Sequence, residues 1–504
     1  MDRSKEAFTI QSTPINISSR REVFWDDYLI EQATVTLRQH SPQDKGIAMI
    51  CDAPWEGNGC MYPVILRHED TLRLYYKACN TIDKATGQYN AHPESFACCA
   101  VSQDGGRSFA KPDYGICQFD DNARNNIILA RGGSTKNTDN FAVFADTNPA
   151  CPQEERYKAV ADNGPISNNK RERILCSYMS PDGIHFSYGG EIHRGGMFDS
   201  MNCAFWDRHT QHYFLYMRDW HEGYPRYRSK DGVKKRMRAL RYSISRDFTH
   251  WTQPQPVDFN APNDIELYTN GIQPYYRADH MFLGLATRYV ERLIWSPSYD
   301  YLPNPDHRRI RFDHNPREGL AITDCVLITS RNGVQFHRWD EAFISPGIER
   351  RYNWVYGDCY CSWGMVETAP GNQDGAPDEL SLFAFENHQQ ANSILRRYAV
   401  RKDGFISVHA PLEPGLLLTR PLIFDGHQLT MNFSTSAIGF VKVDILDQEG
   451  HILSGFEGYE MFGDSLNRPV VFASGTNVSS LAGKPVRLHI RMSDADLYSM
   501  KFGW

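Results

Sequence analysis

Acidic side chains recur at one kind of position in this sequence, directly ahead of short apolar segments that we expect to form strands. These positions hold Glu56, Asp139, Asp199, Glu266 and Asp358. When several carboxyl groups converge beside aromatic rings, burial and mutual repulsion separate their pKa values. One group can then stay protonated while another stays ionised, which is the pair that cleavage of a glycosidic bond requires. If the fold brings these acids together, the sequence therefore predicts a sugar-cleaving site.

Several residues near these strand openings have side chains suited to contacting a sugar, because aromatic faces stack on sugar rings and polar groups bind hydroxyls. Packing inside a sheet is the alternative for each aromatic residue, and capping of a turn is the alternative for each acid or amide. The candidate substrate-binding residues are Trp55, Glu56, Asn202, Arg218, Tyr268 and Asp358.

A repeated turn phrase marks the elements that must position these residues. It reads Ser-x-Asp-Gly, or a close variant followed by an aromatic residue, and begins at Ser102, Ser180, Ser245, Ser330 and, more faintly, Arg401. An Asp-Gly or Asn-Gly pair supplies the positive φ of a tight turn. Between repeats lie about four short, aromatic-rich strand candidates, and no helical pattern longer than two turns is evident. Five four-stranded sheets predict an all-β, five-bladed β-propeller, with an array of β-sandwiches as the alternative.

The repeat stops after Pro411, and a different pattern of alternating strands continues to Trp504. That length and pattern suit a small C-terminal β-sandwich. We therefore expect an N-terminal segment at 1–22, a catalytic propeller at 23–411 and a sandwich at 412–504. In a propeller the innermost strands line one channel, so acids that open those strands would converge at one end of it.

Composition and motifs exclude several function classes. The 504 residues carry a formal net charge of −7, which argues against binding to nucleic acid. No apolar segment approaches the ~18 residues that span a bilayer, and the N-terminus has no apolar signal region, so a cytoplasmic location away from membranes is expected. The 12 cysteines and 18 histidines form no CxxC or HExxH motif, and no nucleotide-binding loop is present. We therefore expect no metal and no cofactor.

Several short phrases of this sequence resemble those of the five-bladed propeller glycosidases related to glycoside hydrolase families 32, 43, 68 and 130. Uncharacterised bacterial family-32-like proteins are the most similar group. The resemblance runs from about Phe24 to the end of the chain. The matching phrases are Phe24-Trp-Asp-Asp27-Tyr, Asn137-Thr-Asp139-Asn-Phe, Asp199-Ser-Met-Asn202, Phe205-Trp-Asp207, Tyr268-Thr-Asn270 and Asp496-Leu-Tyr498-Ser.

The resemblance implies a role for one acid in each of three blades. Asp139 would orient the sugar or adjust its neighbours' pKa values, Asp199 would be the nucleophile or base, and Glu266 would donate the proton. Blade I departs from the family pattern, since relatives place an aspartate there and this chain offers only Glu56 or Asp27. Retaining and inverting chemistry both stay open, because the outcome depends on the separation of the carboxyl groups.

The function expected from the sequence is an exo-acting glycoside hydrolase that removes a terminal sugar, with furanosides among the candidates, from a small oligosaccharide or glycoside. One alternative is an inverting phosphorylase, in which the basic segment 226–241 would help to hold phosphate. A non-catalytic carbohydrate-binding propeller is the other. Homo-oligomer formation through the C-terminal domain is left open.

Overall fold

A computed structural model of the chain describes residues 13–82, 94–130, 139–162, 173–223, 235–259, 265–371 and 374–504. These residues form two compact units. The propeller unit comprises 42–275 and 280–400, and the C-terminal unit comprises 13–41, 276–279 and 401–504. Compared with the expected boundaries, residues 23–41 and 401–411 lie in the C-terminal unit.

The propeller unit contains five antiparallel sheets, and the predicted five-bladed β-propeller is confirmed. Blade I consists of Met61–His68, Thr71–Cys79, Ser95–Ser102 and Ile127–Ala130. Blade II consists of Asp139–Ala145, Tyr157–Asp162, Ile174–Ser180 and Ser187–Arg194. Blade III consists of Cys203–Asp207, His212–Gly223, Lys235–Ser245 and Gln255–Pro256. Blade IV consists of Glu266–Leu267, Gln273–Tyr275, Ala278–Glu291, Ala321–Ser330 and His337–Ile344. Blade V consists of Tyr360–Cys361, Val366–Thr368, Glu379–Glu386, Ile394–Val400 and Gln43–Ile50.

Blade V takes its outermost strand from the beginning of the propeller unit. Gln43–Ile50 pairs antiparallel with Ile394–Val400, so the two ends of the unit are joined by one ladder of hydrogen bonds. Two hydrogen bonds also link the innermost strands of blades V and I. The Trp363 amide donates to the Pro63 carbonyl at 2.9 Å, and the Ile65 amide donates to the Trp363 carbonyl at 2.8 Å. This closure holds the first strand of each blade around a common centre.

The repeated turn phrase follows the strand that lies next to the outermost strand of each blade. In blade II, the Ser180 hydroxyl accepts the Gly183 amide at 2.9 Å, and the Asp182 carboxylate accepts the Ile184 amide at 2.9 Å. Gly183 has a φ of 76°, as the Asp-Gly pair predicts. Blade III lacks the glycine, and Phe248 takes the positive φ of 64° in its place.

The expectation that the propeller holds no helix longer than two turns is wrong at one insertion in blade IV. Helix α1 (Pro305–His314) and helix α2 (Pro316–Leu320) lie between the strands Ala278–Glu291 and Ala321–Ser330 of that blade. The pattern was missed because α1 buries Arg308 and Arg311 rather than an apolar stripe. Three short 3₁₀ turns complete the helical structure of the described residues, at Gln153–Glu155, Pro297–Tyr301 and Ser479–Leu481. Among all the described residues, no helix has both the length and the apolar character needed to cross a membrane.

The C-terminal unit is built around two long strands that pair along most of their length. The pairing of Gln428–Leu446 with Arg487–Gly503 shifts register between Thr435 and Phe440, and both halves of each strand contribute to one apolar core. A sheet that folds over its own core in this way is consistent with the predicted β-sandwich. The remaining strands are Ile15–Ser18, Arg21–Val23, Ile30–Ala33, Thr36–Gln39, Ile406–Ala410, Gly415–Thr419, Leu422–Phe424 and Asp464–Pro469.

Gly364 lies at the junction of blades V and I and tests how much the closure contributes to stability. Its φ is 93°, and a Cβ there would lie 2.1 Å from the Ile65 carbonyl oxygen. We expect Gly364→Ala to lower the free energy of unfolding by about 2 kcal/mol or more, because left-handed backbone and a steric clash both penalise the side chain. Thermal unfolding followed by circular dichroism measures the effect. Gly371→Ala should leave Tm unchanged, because none of the described residues comes within 4 Å of a Cβ at that position. Equal Tm values for the two variants would contradict the expectation.

Candidate active site

Three of the predicted acids lie at the openings of innermost strands, and each has a cationic partner from another strand. Lys77 Nζ lies 2.5 Å from Asp139 Oδ1, and Arg238 Nη1 lies 2.6 Å from Glu266 Oε2. Asp199 precedes the innermost strand of blade III, and its Oδ2 lies 3.8 Å from Arg218 Nη2. The third contact is longer than a hydrogen bond, so Asp199 is held less firmly than the other two acids.

Tyr268 joins the pairs of Asp199 and Glu266, and the charge of Lys77 links Asp139 to Asp199. The guanidinium groups of Arg218 and Arg238 lie 4.9 and 5.0 Å from the centre of its ring, which is cation–π distance. The Tyr268 ring also contacts Tyr360 and Tyr356, with centroids 5.9 and 6.1 Å away. The structure therefore brings together Asp139, Asp199, Glu266, Arg218 and Tyr268 from the predicted set.

Asp199 is the most accessible acid of this group, with 40% of its side chain exposed against 25% for Asp139 and none for Glu266. Burial by the surrounding protein would raise its pKa. The positive charges of Arg218, Arg173, Lys77 and Arg317 outweigh that effect and lower the pKa to about 2. Asp199 is therefore ionised at neutral pH, and an ionised carboxylate open to solvent can act as a base or a nucleophile.

Lys77 remains charged in spite of its enclosed position. Burial lowers the pKa of Lys77, but the carboxylate of Asp139 and other nearby anionic groups raise it above its ordinary value. The ammonium group also lies 6.0 Å from the ring centre of Tyr62. Lys77 therefore fixes the Asp139 carboxylate while its charge also acts on Asp199.

Glu266 has an environment that differs from the one expected of a proton donor. Its side chain is fully buried, and its Oε2 accepts both the Arg238 guanidinium at 2.6 Å and the Arg238 backbone amide at 3.3 Å. Arg238 in turn lies 3.8 Å from the Tyr289 ring centre and 4.8 Å from that of Trp220. In this arrangement Glu266 positions Arg238, and proton donation would require that arginine to move.

Blade I contributes a tyrosine where the resemblance implies a carboxylate. The innermost strands of blades I and II both begin with a β-bulge, at which Tyr62 and Asn140 have positive φ values of 56° and 59°. A bulge redirects the side chains beside it. The Tyr62 ring contacts Tyr360 at 5.5 Å, and its hydroxyl pKa is raised by burial and then by the neighbouring tyrosines and Asp199.

Neither acid proposed for blade I joins this group. Glu56 is fully buried, and its carboxylate accepts hydrogen bonds from the Tyr76 hydroxyl at 2.6 Å, the Lys111 ammonium at 2.7 Å and the Ala53 amide at 2.8 Å. These contacts hold the loop that leads into blade I and leave no exposed face for a sugar. Asp27 belongs to the C-terminal unit.

Two further predicted contact residues support loops. The Trp55 indole nitrogen donates to Asn126 Oδ1 at 2.8 Å, which fixes the ring inside blade I. Asp358 is buried, and its carboxyl oxygens accept the amides of Val355 and Asn387, each at 3.0 Å. Burial and the charge of Glu386 raise the pKa of Asp358 to about 7.

Asn202 positions the turn that carries Asp199. Its side-chain amide donates to the carbonyls of Phe198 and Ser200, both at 2.9 Å. The Ser200 hydroxyl donates to the Tyr268 carbonyl at 2.5 Å, which fastens this turn to blade IV. Asn202 therefore acts on the site through the backbone. Asn137, from the phrase that contains Asp139, lies outside the described residues.

Sequence reasoning named Arg218, and Arg238 only as part of the basic segment 226–241, and it missed Lys77 and Arg317. Lys77 lies on a second strand, Arg238 on a third strand and Arg317 in the helical insertion, none of which carries a recognisable motif. Residues 235–241 of the basic segment extend the third strand of blade III, whereas 226–234 lie outside the described part of the chain. Within the described ranges, no three His, Cys, Asp or Glu side chains are arranged to hold a metal ion.

No protein-family model and no curated protein sequence matches this chain. Solved structures match it over most of its length at low identity. An N-acetylgalactosamine deacetylase from F. plautii, in complex with blood group B trisaccharide, is 14% identical over 72% of this chain and 94% of that chain, with a TM-score of 0.41. A glycosyl hydrolase from Bacteroides ovatus is 12% identical over 76% and 97%, with a TM-score of 0.39. An α-L-arabinofuranosidase from Fusarium graminearum with an iminosugar inhibitor is 9% identical over 73% and 99%, with a TM-score of 0.38.

The charge arrangement around Asp199 predicts how its pKa responds to substitution. We expect Arg218→Met to raise the pKa of Asp199 from about 2, because the cation that contributes most against the effect of burial is removed. The carboxylate of the variant should then take up a proton at a higher pH than in the wild type.

Carbon-13 NMR of a chain labelled at the aspartate carboxyl carbons measures this titration, with the Asp199 signal assigned by its loss in Asp199→Asn. Arg246→Met serves as the control, since Arg246 is exposed and bonds to His212. A titration of Asp199 that is the same in Arg218→Met as in the wild type would contradict the assigned cause.

Proposed function

We propose that the protein is a glycoside hydrolase and that Asp199 is its ionised nucleophile or base. The observation that carries this proposal is a partly exposed carboxylate, with its pKa held at about 2, near a second carboxylate, Asp139, and the ring of Tyr62. An ionised carboxylate of this kind is one half of the pair that glycosidic cleavage uses. The exo mode and the furanoside candidates rest on the sequence resemblance.

The surrounding residues receive roles that follow from their contacts. Asp139, fixed by Lys77, is the second acid that a sugar in the site would meet. Tyr268 and Arg218 are both buried, so we assign them to holding Asp199 in place rather than to contacting the sugar. We assign Glu266 to the positioning of Arg238, in contrast to the proton-donor role implied by the resemblance, because its carboxylate is enclosed.

A phosphorylase is the second candidate, and the cations around Asp199 favour it. Lys77, Arg173, Arg218 and Arg317 all act on this one carboxylate, and guanidinium groups bind phosphate well. In phosphorolysis a phosphate oxygen would attack the anomeric carbon, the glycosidic bond would break, and the leaving oxygen would take up a proton. Turnover that requires inorganic phosphate and yields a sugar phosphate would identify this reaction.

Substitution of Asp199, with activity measured on aryl glycosides, tests the proposal. We expect Asp199→Asn to lower kcat/KM by about a thousandfold or more, since the group that attacks or activates water is lost. Asp70→Asn, a change at an exposed turn, is the matched control and should keep wild-type activity. Full activity in Asp199→Asn would contradict the proposal, and saturable sugar binding without product at any pH would favour a binding propeller.

Leaving-group dependence separates the two roles for Glu266. A proton donor matters little for a dinitrophenyl glycoside, whose leaving group needs no protonation, and much for a nitrophenyl or natural glycoside. Because we assign Glu266 to positioning, we expect Glu266→Gln to lower kcat/KM for both kinds of substrate to a similar extent. A variant that loses activity only on the poorer leaving groups would show that Glu266 is the acid.

A further inference from the structure

Helix α1 of the blade IV insertion buries two arginines completely. Neither Arg308 nor Arg311 exposes any surface to solvent. A guanidinium group enclosed in protein is costly unless a negative charge and hydrogen-bond acceptors compensate for its lost hydration. The contacts of these two side chains therefore show whether the protein itself compensates their positive charge.

The acceptors that these arginines reach are neutral. Arg308 Nη1 donates to the Gly319 carbonyl at 3.1 Å and its Nη2 to the Trp354 carbonyl at 2.5 Å. Arg311 Nη1 donates to Gln389 Oε1 at 3.1 Å. Among the residues that the structure describes, neither guanidinium has a carboxylate within ion-pair distance.

The nearest carboxyl groups have other partners. Glu318 lies 3.0 Å from Arg317 and accepts the Gln389 amide at 3.1 Å. Asp358 accepts two backbone amides, and with a pKa of about 7 it is only partly ionised at neutral pH. Burial lowers the pKa of Arg308 to about 10 and that of Arg311 to about 9, so both arginines still carry charge at neutral pH.

Several nitrogen atoms in and beside this insertion have no hydrogen-bond partner among the described residues. Arg308 Nε, Arg311 Nε and Arg311 Nη2 are buried without a hydrogen-bond partner, and so is Nδ1 of His388. His388 is completely enclosed beside the Tyr356 ring, and burial lowers its pKa to about 3, so its imidazole is neutral. The two buried charges and the unpartnered guanidinium nitrogens together suit an acceptor that carries negative charge.

We propose that a small monatomic anion, chloride under ordinary conditions, binds at Arg308 and Arg311 and completes this insertion. A monatomic anion accepts several N–H groups without a fixed geometry, and its charge compensates the two enclosed guanidinium groups. Ordered water is the competing occupant, because it would satisfy the donors while leaving the charges uncompensated.

Anion binding would support the candidate active site through Arg317. This residue follows Arg311 in the same insertion, lies 4.8 Å from the Tyr356 ring centre, and contributes to the low pKa of Asp199. Arg308 is bonded to the Trp354 carbonyl in the loop that carries Tyr356. An effect of chloride on turnover rests on the proposed function, whereas the binding itself does not.

Thermal unfolding in chloride and in gluconate, at equal ionic strength, tests the proposal on the full chain. We expect Tm to rise by several degrees with chloride concentration and to saturate, because a ligand that binds only the folded state stabilises it. Arg311→Met should lose this chloride dependence. Arg309→Met is the control on the same helix, since Arg309 is 47% exposed and pairs with Asp300, and it should keep the dependence.

Crystals of the wild-type protein grown in bromide provide a second test that does not depend on the folding of a variant. An anomalous peak within about 3.5 Å of Arg311 Nε or Nη2 is the expected result. A Tm that does not respond to chloride, or a site at Arg311 without an anomalous peak, would overturn the proposal. Bound bromide in a protein that cleaves no glycoside would overturn only the proposed function.

Discussion

Closure of the propeller is the constraint on which the remaining structure depends. The strand Gln43–Ile50 completes blade V by pairing with Ile394–Val400. Arg396 on Ile394–Val400 binds Asp44 on one neighbouring strand and Glu386 on the other. A sheet repeat closes into a ring only if its last blade is completed, and only then do the innermost strands converge on one centre. The acids at the openings of blades II, III and IV share one environment because of this closure.

Within that environment, charge is matched pair by pair, and Asp199 is the exception. Asp139 and Glu266 each have a cation at hydrogen-bond distance, whereas Asp199 lies 3.8 Å from Arg218 and feels the other cations from farther away. Its carboxylate is therefore ionised, and among the described residues no cation lies within hydrogen-bond distance of it. An anion that is stabilised at a distance and open to solvent is suited to attack or to accept a proton.

The sequence was most informative where function and fold depend on local chemistry. The Ser-x-Asp-Gly phrase identified the blades because its hydrogen bonds lie within a few residues, as at Ser180 and Asp182. The strand-opening acids could be found for the same reason. Lys77 could not, because it reaches the site through pairing between strands. Glu56 resembled a site residue because its partners in blade I are not evident from the sequence.

The central claim is that the group around Asp199 cleaves a glycosidic bond. The most direct measurement follows the anomeric protons of a pool of defined oligosaccharides by NMR during incubation with the wild-type chain or with Asp199→Asn. The account predicts new anomeric signals from a released sugar with the wild type and none with the variant. Equal release by both proteins, or no release by the wild type from any member of a pool to which it binds saturably, would contradict the account.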